Sequence, residues 1–191
     1  MKKALFILTD DFSDWEGAFL SSILNKSKNW DVQTVSTKRV INSMGGLTVK
    51  IDTVLDPNLH CDLVVMIGGN NWNLQEKIMY LFIKNKIHKQ TKIAAICGAV
   101  DFLAYNGFLN TFNHTGNSQK LWLDYDNYHP QKKFIKNNVV TDRNLVTANG
   151  TSPIDFTLAT LKMINFDNDY EIEKKMSLYR LGYYKYMHIY S

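Results

Sequence analysis

Cys97 is the residue in this sequence best placed for nucleophilic chemistry. An apolar run, residues 92–96, predicts a buried strand, and the spacing of residues 99–105 predicts a helix. With so few residues at the junction, we expect a strained turn that exposes the thiol at the end of the strand. This geometry is similar to the nucleophile elbow of serine hydrolases, although the G-x-S-x-G pattern is absent. The next helix's N-terminus would depress the thiol pKa. The alternative is a small buried hydrophobe.

Glu16 is the candidate partner of the thiol. It lies in the segment Asp14–Gly17, directly after the predicted first strand and at the start of the first predicted helix. A protonated carboxyl beside a thiolate donates a hydrogen bond to sulfur and stabilises the anion. The alternative is a solvated glutamate in the first helical turn, where the helix dipole favours negative charge.

Two glycines are candidates for an oxyanion hole. Gly69 follows a buried strand that ends in a Gly-Gly pair, and Gly98 follows the candidate nucleophile directly. Glycine allows a backbone N–H to approach a ligand closely, as stabilisation of an oxyanion requires. A tight strand-to-loop turn would use the same residues.

A catalytic cysteine is commonly activated by an imidazole base, and His114 is the histidine that follows the elbow helix closely. A structural histidine is the alternative. We also expect Trp72, Asn117 and Asn149 to line the substrate pocket. The His and Cys residues do not occur at metal-ligand spacing, and the glycine patterns of nucleotide-phosphate sites are absent, so we expect no metal and no cofactor.

Alternating apolar strands and helices are predicted along the 191 residues, which favours one α/β domain with a parallel central sheet covered on both faces. The last predicted helix runs from Asn168 to Tyr186. In such sheets the functional site lies beyond the carboxyl ends of the strands. The segments expected there are Thr9–Asp11, Gly68–Asn71, Cys97–Ala99 and Thr147–Thr151.

Composition excludes several classes of function. The chain is 45% hydrophobic and 21% charged, with a net charge of +4 that is scattered rather than clustered, so we expect no nucleic-acid partner. No apolar run reaches the ~18 residues of a membrane span, and the short apolar stretch at the N-terminus predicts a strand rather than a signal peptide. The two cysteines form no disulfide framework, which favours the reducing cytoplasm.

Five segments, in their order and spacing, resemble the ThiJ/PfpI superfamily of class I glutamine amidotransferase-like proteins. They are Asp14–Gly17, Met66–Gly69, Ala95–Ala99, Asn106–Leu109 followed by His114–Asn117, and Val146–Thr151. The resemblance covers nearly the whole chain. It implies a flavodoxin-like three-layer sandwich and a homodimer, with Cys97 as the reactive thiol and Glu16 as its hydrogen-bonding partner.

The sequence departs from the superfamily at two positions that supply a base. PfpI-type proteases have a histidine directly after the nucleophile, where this chain has Gly98. Class I glutamine amidotransferases have a late His-x-Glu pair, whereas His188 is followed here by Ile189 and Tyr190. We therefore expect no robust protease or glutaminase activity.

Three functions remain open at this point: an enzyme, a stress sensor, and a bare scaffold that dimerises and binds a partner. In the first, the protein is a hydrolase, amidase or glyoxalase-like enzyme, and Cys97 would attack a small carbonyl or amide compound. In the second, the protein is a redox or electrophile stress sensor. Oxidation of Cys97 would then change the binding of a partner. A homodimer is also expected, since many aromatic residues are predicted at the surface and aromatic residues are enriched at interfaces. They are Trp72, Trp122, Tyr125, Tyr128, Tyr183, Tyr184 and Tyr186.

Overall fold

A seven-stranded sheet forms the centre of the protein in the computed structural model, which describes residues 1–190. In sheet order the strands are β5 (Thr53–Val54), β2 (Trp30–Ser36), β1 (Lys2–Ile7), β6 (Leu63–Met66), β7 (Lys92–Ile96), β9 (Leu145–Ala148) and β8 (Val139–Asp142). Six of them are parallel, and β8 runs antiparallel to β9 at one edge. A separate hairpin pairs β3 (Val40–Asn42) with β4 (Thr48–Lys50).

Helices cover both faces of the sheet. They are α1 (Asp14–Asn25), α2 (Lys77–His88), α3 (Gly98–Tyr105), α4 (Pro153–Met163), α5 (Asp169–Leu181) and α6 (Tyr183–Tyr190), with a 3-10 turn at Gln119–Trp122. Residues of α1, α4 and α5 pack on one face, and residues of α2 and α3 pack on the other. The predicted flavodoxin-like three-layer sandwich with a parallel central sheet is therefore confirmed.

Both faces of strand β7 are buried, as expected for a strand in the middle of the sheet. Ala94 packs with the α1 and α4 side, and Ala95 packs with the α2 and α3 side, and both are fully buried. Apolar residues at consecutive positions suit a strand with no solvent face. The strand ends at Ile96, which places Cys97 between the carboxyl ends of β6 and β9.

Two predictions about the chain's aromatic segments are wrong. The last helix is not continuous, because Gly182 adopts a φ of 76° and separates α5 from α6. Trp122 and Tyr128 are buried rather than exposed, since both pack around His114. By contrast, Tyr183 and Tyr184 on α6 are 62% and 88% exposed.

None of the helices within residues 1–190 is long and apolar enough to cross a membrane.

Candidate active site

The predicted elbow is present at Cys97. Its backbone has a φ of 59° and a ψ of −130°, a conformation that costs a non-glycine residue on the order of 1–3 kcal/mol. Hydrogen bonds hold it on both sides: the Cys97 N–H donates to the Ala148 carbonyl, and the Val100 N–H donates to the Cys97 carbonyl. The turn is therefore fixed between the end of β7 and the first residue of α3, and its half-buried thiol projects beyond the sheet edge.

Glu16 is fully buried in the first turn of α1, contrary to the reading of a solvated first-turn residue. Its Oε2 accepts a hydrogen bond of 2.7 Å from the N–H of Gly68, which anchors the carboxyl to the end of β6. Its Oε1 has no hydrogen-bond partner among the described residues. Burial raises the pKa of Glu16 from 4.5 to about 7, so the carboxyl can hold a proton near neutral pH.

The thiol and the carboxyl lie side by side beneath Gly150. A Cβ built on Gly150 would lie 2.8 Å from Cys97 Sγ and 3.1 Å from Glu16 Oε1. Oε1 makes no hydrogen bond of full geometry, but the thiol and the carboxyl are in contact, which lowers the pKa of Glu16 and raises that of Cys97. The two groups therefore titrate as a pair rather than singly.

The expectation of a depressed Cys97 pKa does not hold for the thiol taken alone. Burial raises the pKa of Cys97, donation by Asn117 lowers it, and the charge of ionised Glu16 raises it again. Burial raises the pKa of Cys61 to about 11, and this effect outweighs the lowering by the charges of Lys86 and Lys3. Once the pair of Cys97 and Glu16 has lost its first proton, the two groups share the one proton that remains. Cys97 is a thiolate whenever Glu16 holds that proton.

Asn117 makes the one side-chain hydrogen bond to the sulfur found among the described residues. Its Nδ2 donates to Cys97 Sγ at 3.3 Å, and its Oδ1 accepts from the N–H of Gly150 at 2.9 Å. Because a backbone N–H can only donate, the amide oxygen must face Gly150 and the NH2 group must face the sulfur. Asn117 can therefore stabilise a thiolate but cannot remove a proton.

His114 does not lie in the arrangement expected of the base. It is fully buried, and its ring nitrogens contact the Phe112 carbonyl at 2.7 Å and the Tyr128 hydroxyl at 2.8 Å rather than the sulfur. Burial lowers its pKa and so favours the neutral ring. The aromatic rings of Trp122 and Phe134 pack against it. This geometry does not support the catalytic role and favours the structural alternative.

The two glycines of the predicted oxyanion hole pack against each other. A Cβ on Gly98 would lie 2.6 Å from the carbonyl oxygen of Gly69, and a Cβ on Gly69 would lie 2.4 Å from the carbonyl oxygen of Asp11. Backbone atoms cannot move aside as a flexible side chain can. A side chain at position 98, including the histidine of PfpI-type proteases, would therefore require the Gly69 segment to move, and the close approach brings both backbone segments beside the elbow.

The three predicted pocket residues divide between two clefts. Trp72 lines a cleft of about 300 Å³ beyond β1 and β2, and its indole N–H donates to the Ile67 carbonyl. Asn117 and Asn149 line a second, larger cleft of about 580 Å³. Trp72 still reaches the elbow, since its Cδ1 would lie 3.4 Å from a Cβ on Gly98.

Two residues of the site were missed by sequence reasoning. Gly150 covers the sulfur and orients Asn117, and Gly68 supplies the N–H that holds Glu16. The available signal was their position after β9 and β6, at the edge where the site was expected. For a metal ion, the described residues offer no group of three or more His, Cys, Asp or Glu side chains.

This chain is similar to known proteins in both sequence and fold. The sequence profile of the DJ-1/PfpI family matches residues 2–163. A Bacillus subtilis (strain 168) relative, named uncharacterized protease YdeA, is 48% identical over 188 residues, which cover 97% of this chain and 95% of the relative.

Solved structures of bacterial proteins share the fold. A thiJ/pfpI family protein from Bacillus anthracis superposes with a TM-score of 0.85 at 30% identity, over 98% of this chain and 94% of that one. A DJ-1 superfamily protein from Agrobacterium tumefaciens, Atu0886, gives a TM-score of 0.84 at 28% identity, over 94% and 97% of the two chains. With an elbow cysteine, a buried glutamate and these matches, the chain belongs to the DJ-1/PfpI family.

Proposed function

We propose that this protein is a cysteine-dependent enzyme that acts on a small carbonyl or amide compound through a Cys97 thiolate tuned by Glu16. The observation that carries the proposal is the fully buried Glu16 carboxyl, whose pKa is raised to about 7 and whose free Oε1 faces the thiol. An acid of this strength is well matched to proton transfer near neutral pH.

In the proposed reaction, the Cys97 thiolate attacks the carbonyl carbon of the substrate. The carbonyl oxygen becomes an oxyanion, for which the N–H groups of Gly69 and Gly98 are the proposed donors. Glu16 supplies a proton to the oxyanion of an aldehyde, which leaves a hemithioacetal, or to the leaving amine of an amide, which leaves an acyl thioester. Water then hydrolyses the thioester, with Glu16 as the base.

The absence of an imidazole at the sulfur favours activated substrates, such as α-oxo-aldehydes and activated small amides, over peptides. Asn117 occupies the position beside the thiol and can only donate. General-base assistance contributes roughly 10²–10⁴-fold in rate, so an enzyme that has Glu16 but no imidazole at the sulfur should cleave unactivated peptide bonds poorly. Although the Bacillus subtilis relative is named a protease, we expect feeble peptidase activity from this chain.

A redox or electrophile stress sensor is the second candidate. It is favoured by the same unpartnered Oε1 of Glu16, because a protonated carboxyl there can donate to an oxygen of a Cys97 sulfinate. The sensor needs no base and no substrate pocket. In that function, oxidation of Cys97 by peroxide would change the binding of a partner rather than start a turnover.

One experiment separates these functions. The purified protein and its Cys97→Ser variant are assayed for turnover of an α-oxo-aldehyde, a small activated amide and casein, and are treated with peroxide before intact-mass analysis. Turnover of a small compound that the variant lacks supports the enzyme. Formation of a stable sulfinate without turnover favours the sensor, and robust Cys97-dependent casein cleavage would contradict the expected lack of peptidase activity.

Two broader expectations remain proposals. A homodimer is supported by the exposed Tyr183 and Tyr184 on α6. A cytoplasmic location is supported by the two free cysteines, Cys61 and Cys97, since thiols persist in a reducing compartment.

A further inference from the structure

The cleft beside the thiol has a distinctive chemical lining. It has a volume of about 580 Å³, and amide and hydroxyl side chains form most of its wall. Two cations, Lys120 and Lys136, also line it, whereas no Asp or Glu does. Neither lysine forms an ion pair with a described residue, so both charges are available to a ligand.

Nearby negative charge does not cancel these lysines. One carboxylate, Asp155, forms a hydrogen bond with a side chain of the wall, and it accepts from Asn138 at 3.3 Å. Asp155 is also paired with Arg180, so its charge is already compensated. The cleft therefore presents a positive field together with many hydrogen-bond donors, and such a lining concentrates small anions near it.

The cleft and the nucleophile share a wall. Asn117 lines the cleft and also donates to Cys97 Sγ, and Asn149 precedes Gly150, which covers the same sulfur. Cys97 itself does not line the cleft, so the Asn117 side chain separates a molecule in the cleft from the sulfur.

From this juxtaposition we infer that the substrate is a small anionic carbonyl compound, whose negatively charged group binds near Lys120 and Lys136 while its carbonyl faces Cys97. The chemical class is a carboxylated aldehyde, ketone or amide. The inference rests on the proposed function and adds the charge of the substrate to it.

Two alkylating reagents of similar size test the inference without a known substrate. Iodoacetate is anionic and iodoacetamide is neutral, and each forms a thioether at Cys97 by displacing iodide from carbon. Rate constants are measured in a Cys61→Ser background, and the ratio of the iodoacetate constant to the iodoacetamide constant is the readout. The ratio cancels changes in the intrinsic reactivity of the thiol.

Lys120→Gln with Lys136→Gln should lower this ratio by about fivefold, since an exposed ion pair contributes up to about 1 kcal/mol. Lys120→Glu with Lys136→Glu should lower it further, and high salt should lower the ratio of the parent protein. The matched control is Lys28→Gln with Lys92→Gln. It makes the same change of charge at the opposite ends of the strands and should leave the ratio unchanged.

The outcomes distinguish a wrong substrate class from a wrong proposed function. If Cys97 reacts with iodoacetamide but the lysine variants leave the ratio unchanged, the anionic substrate class is wrong and the proposed function survives. If Cys97 reacts with neither reagent in the parent protein, the proposed function fails, and the inference fails with it.

Discussion

The chemistry of the site depends on the burial of one carboxyl, Glu16. An exposed glutamate is ionised at neutral pH and would only repel a thiolate. In this fold the carboxyl is anchored by the Gly68 N–H on one oxygen and left without a partner on the other, and burial raises its pKa to about 7. The fold therefore keeps a proton available beside Cys97 at the pH where the thiol must react.

The burial of Glu16 also predicts a pH dependence of stability. The folded pKa of about 7 lies above the ordinary value of 4.5, so the folded state binds the proton more tightly. Its contribution to the free energy of unfolding is complete below about pH 4.5 and is lost as pH rises through about 7. In a Cys97→Ala background this loss should reach about 3 kcal/mol, and Glu16→Gln should abolish it. Urea unfolding of the two variants across this range measures the difference, and parallel pH curves would contradict the prediction.

Because Asn117 contacts the sulfur, a substitution there should change the reactivity of Cys97 rather than the stability of the fold. Asn117→Asp keeps the acceptor for the Gly150 N–H but replaces the donor to sulfur by a negative charge. The Cys97 pKa should rise, because a carboxylate destabilises the neighbouring thiolate, and iodoacetamide alkylation at neutral pH should slow about tenfold. Asn137→Asp adds the same charge to the same cleft away from the sulfur and serves as the control. Equal rates for the two variants would show that the contact of Asn117 with sulfur is unimportant.

At the scale of elements, the strand ends bring the site together. β1 leads into α1 and Glu16, β6 ends at Gly68, β7 ends at Cys97, and the turn after β9 contains Gly150. This much could be predicted from the sequence, because apolar runs followed by glycines mark strand ends, and parallel strands end at one edge.

The sequence could not reveal which polar side chain meets the sulfur. His114 and Asn117 lie three residues apart in an irregular segment without helical or strand periodicity, so their side-chain directions depend on tertiary packing. The buried aromatic cluster around Trp122 takes up His114 and leaves Asn117 facing the thiol. The break at Gly182 was missed for a similar reason, since a single glycine within a helical pattern does not show whether the helix continues.

The turn after β9 places Gly150 directly over the sulfur of Cys97. Its φ lies outside the left-handed region, so Gly150→Ala introduces little backbone strain, but the new methyl group would crowd Cys97 Sγ at 2.8 Å. We expect iodoacetamide alkylation to slow at least about tenfold. Because the methyl group would also lie 3.0 Å from Cys97 Cβ and 3.1 Å from Glu16 Oε1, overpacking should cost about 1–3 kcal/mol of stability.

Gly182→Ala is the opposite case and therefore the control. Its φ of 76° strains alanine, by about 1 kcal/mol, while open space surrounds the new Cβ. That variant should lose stability and keep its thiol reactivity. If Gly150→Ala reacts as fast as the parent protein, the arrangement of the turn over the sulfur is wrong.

At the scale of the whole molecule, the arrangement leaves an aromatic surface outside the sandwich. Tyr183 and Tyr184 are exposed on α6, which contains no buried residue. Since aromatic residues are enriched at interface cores and most soluble oligomers are two-fold dimers, a homodimer through α6 is the expected assembly.

Light scattering tests the dimer. We expect a mass near twice the 22.1 kDa of the chain, and we expect Tyr183→Glu with Tyr184→Glu to shift it toward the monomer. Tyr170→Glu, at an exposed position on α5, is the control and should leave the mass unchanged. A parent protein of 22.1 kDa at micromolar concentration would rule out the dimer, and a dimer that resists the double substitution would place its interface elsewhere.

The central claim, that Glu16 tunes a reactive Cys97 thiol, is tested most directly by the pH profile of alkylation at each cysteine. Iodoacetamide labelling is followed by peptide mass analysis in the parent protein and in Glu16→Gln. In the parent, the Cys97 rate should rise with an inflection near pH 7, where the pair loses its first proton, while Cys61, with its pKa of about 11, stays slow. Glu16→Gln removes the carboxylate charge that raises the Cys97 pKa, so its rate should lose that inflection and rise in a single step toward the thiol's own pKa. Identical Cys97 profiles in the two proteins, or faster labelling of Cys61 at neutral pH, would contradict the account.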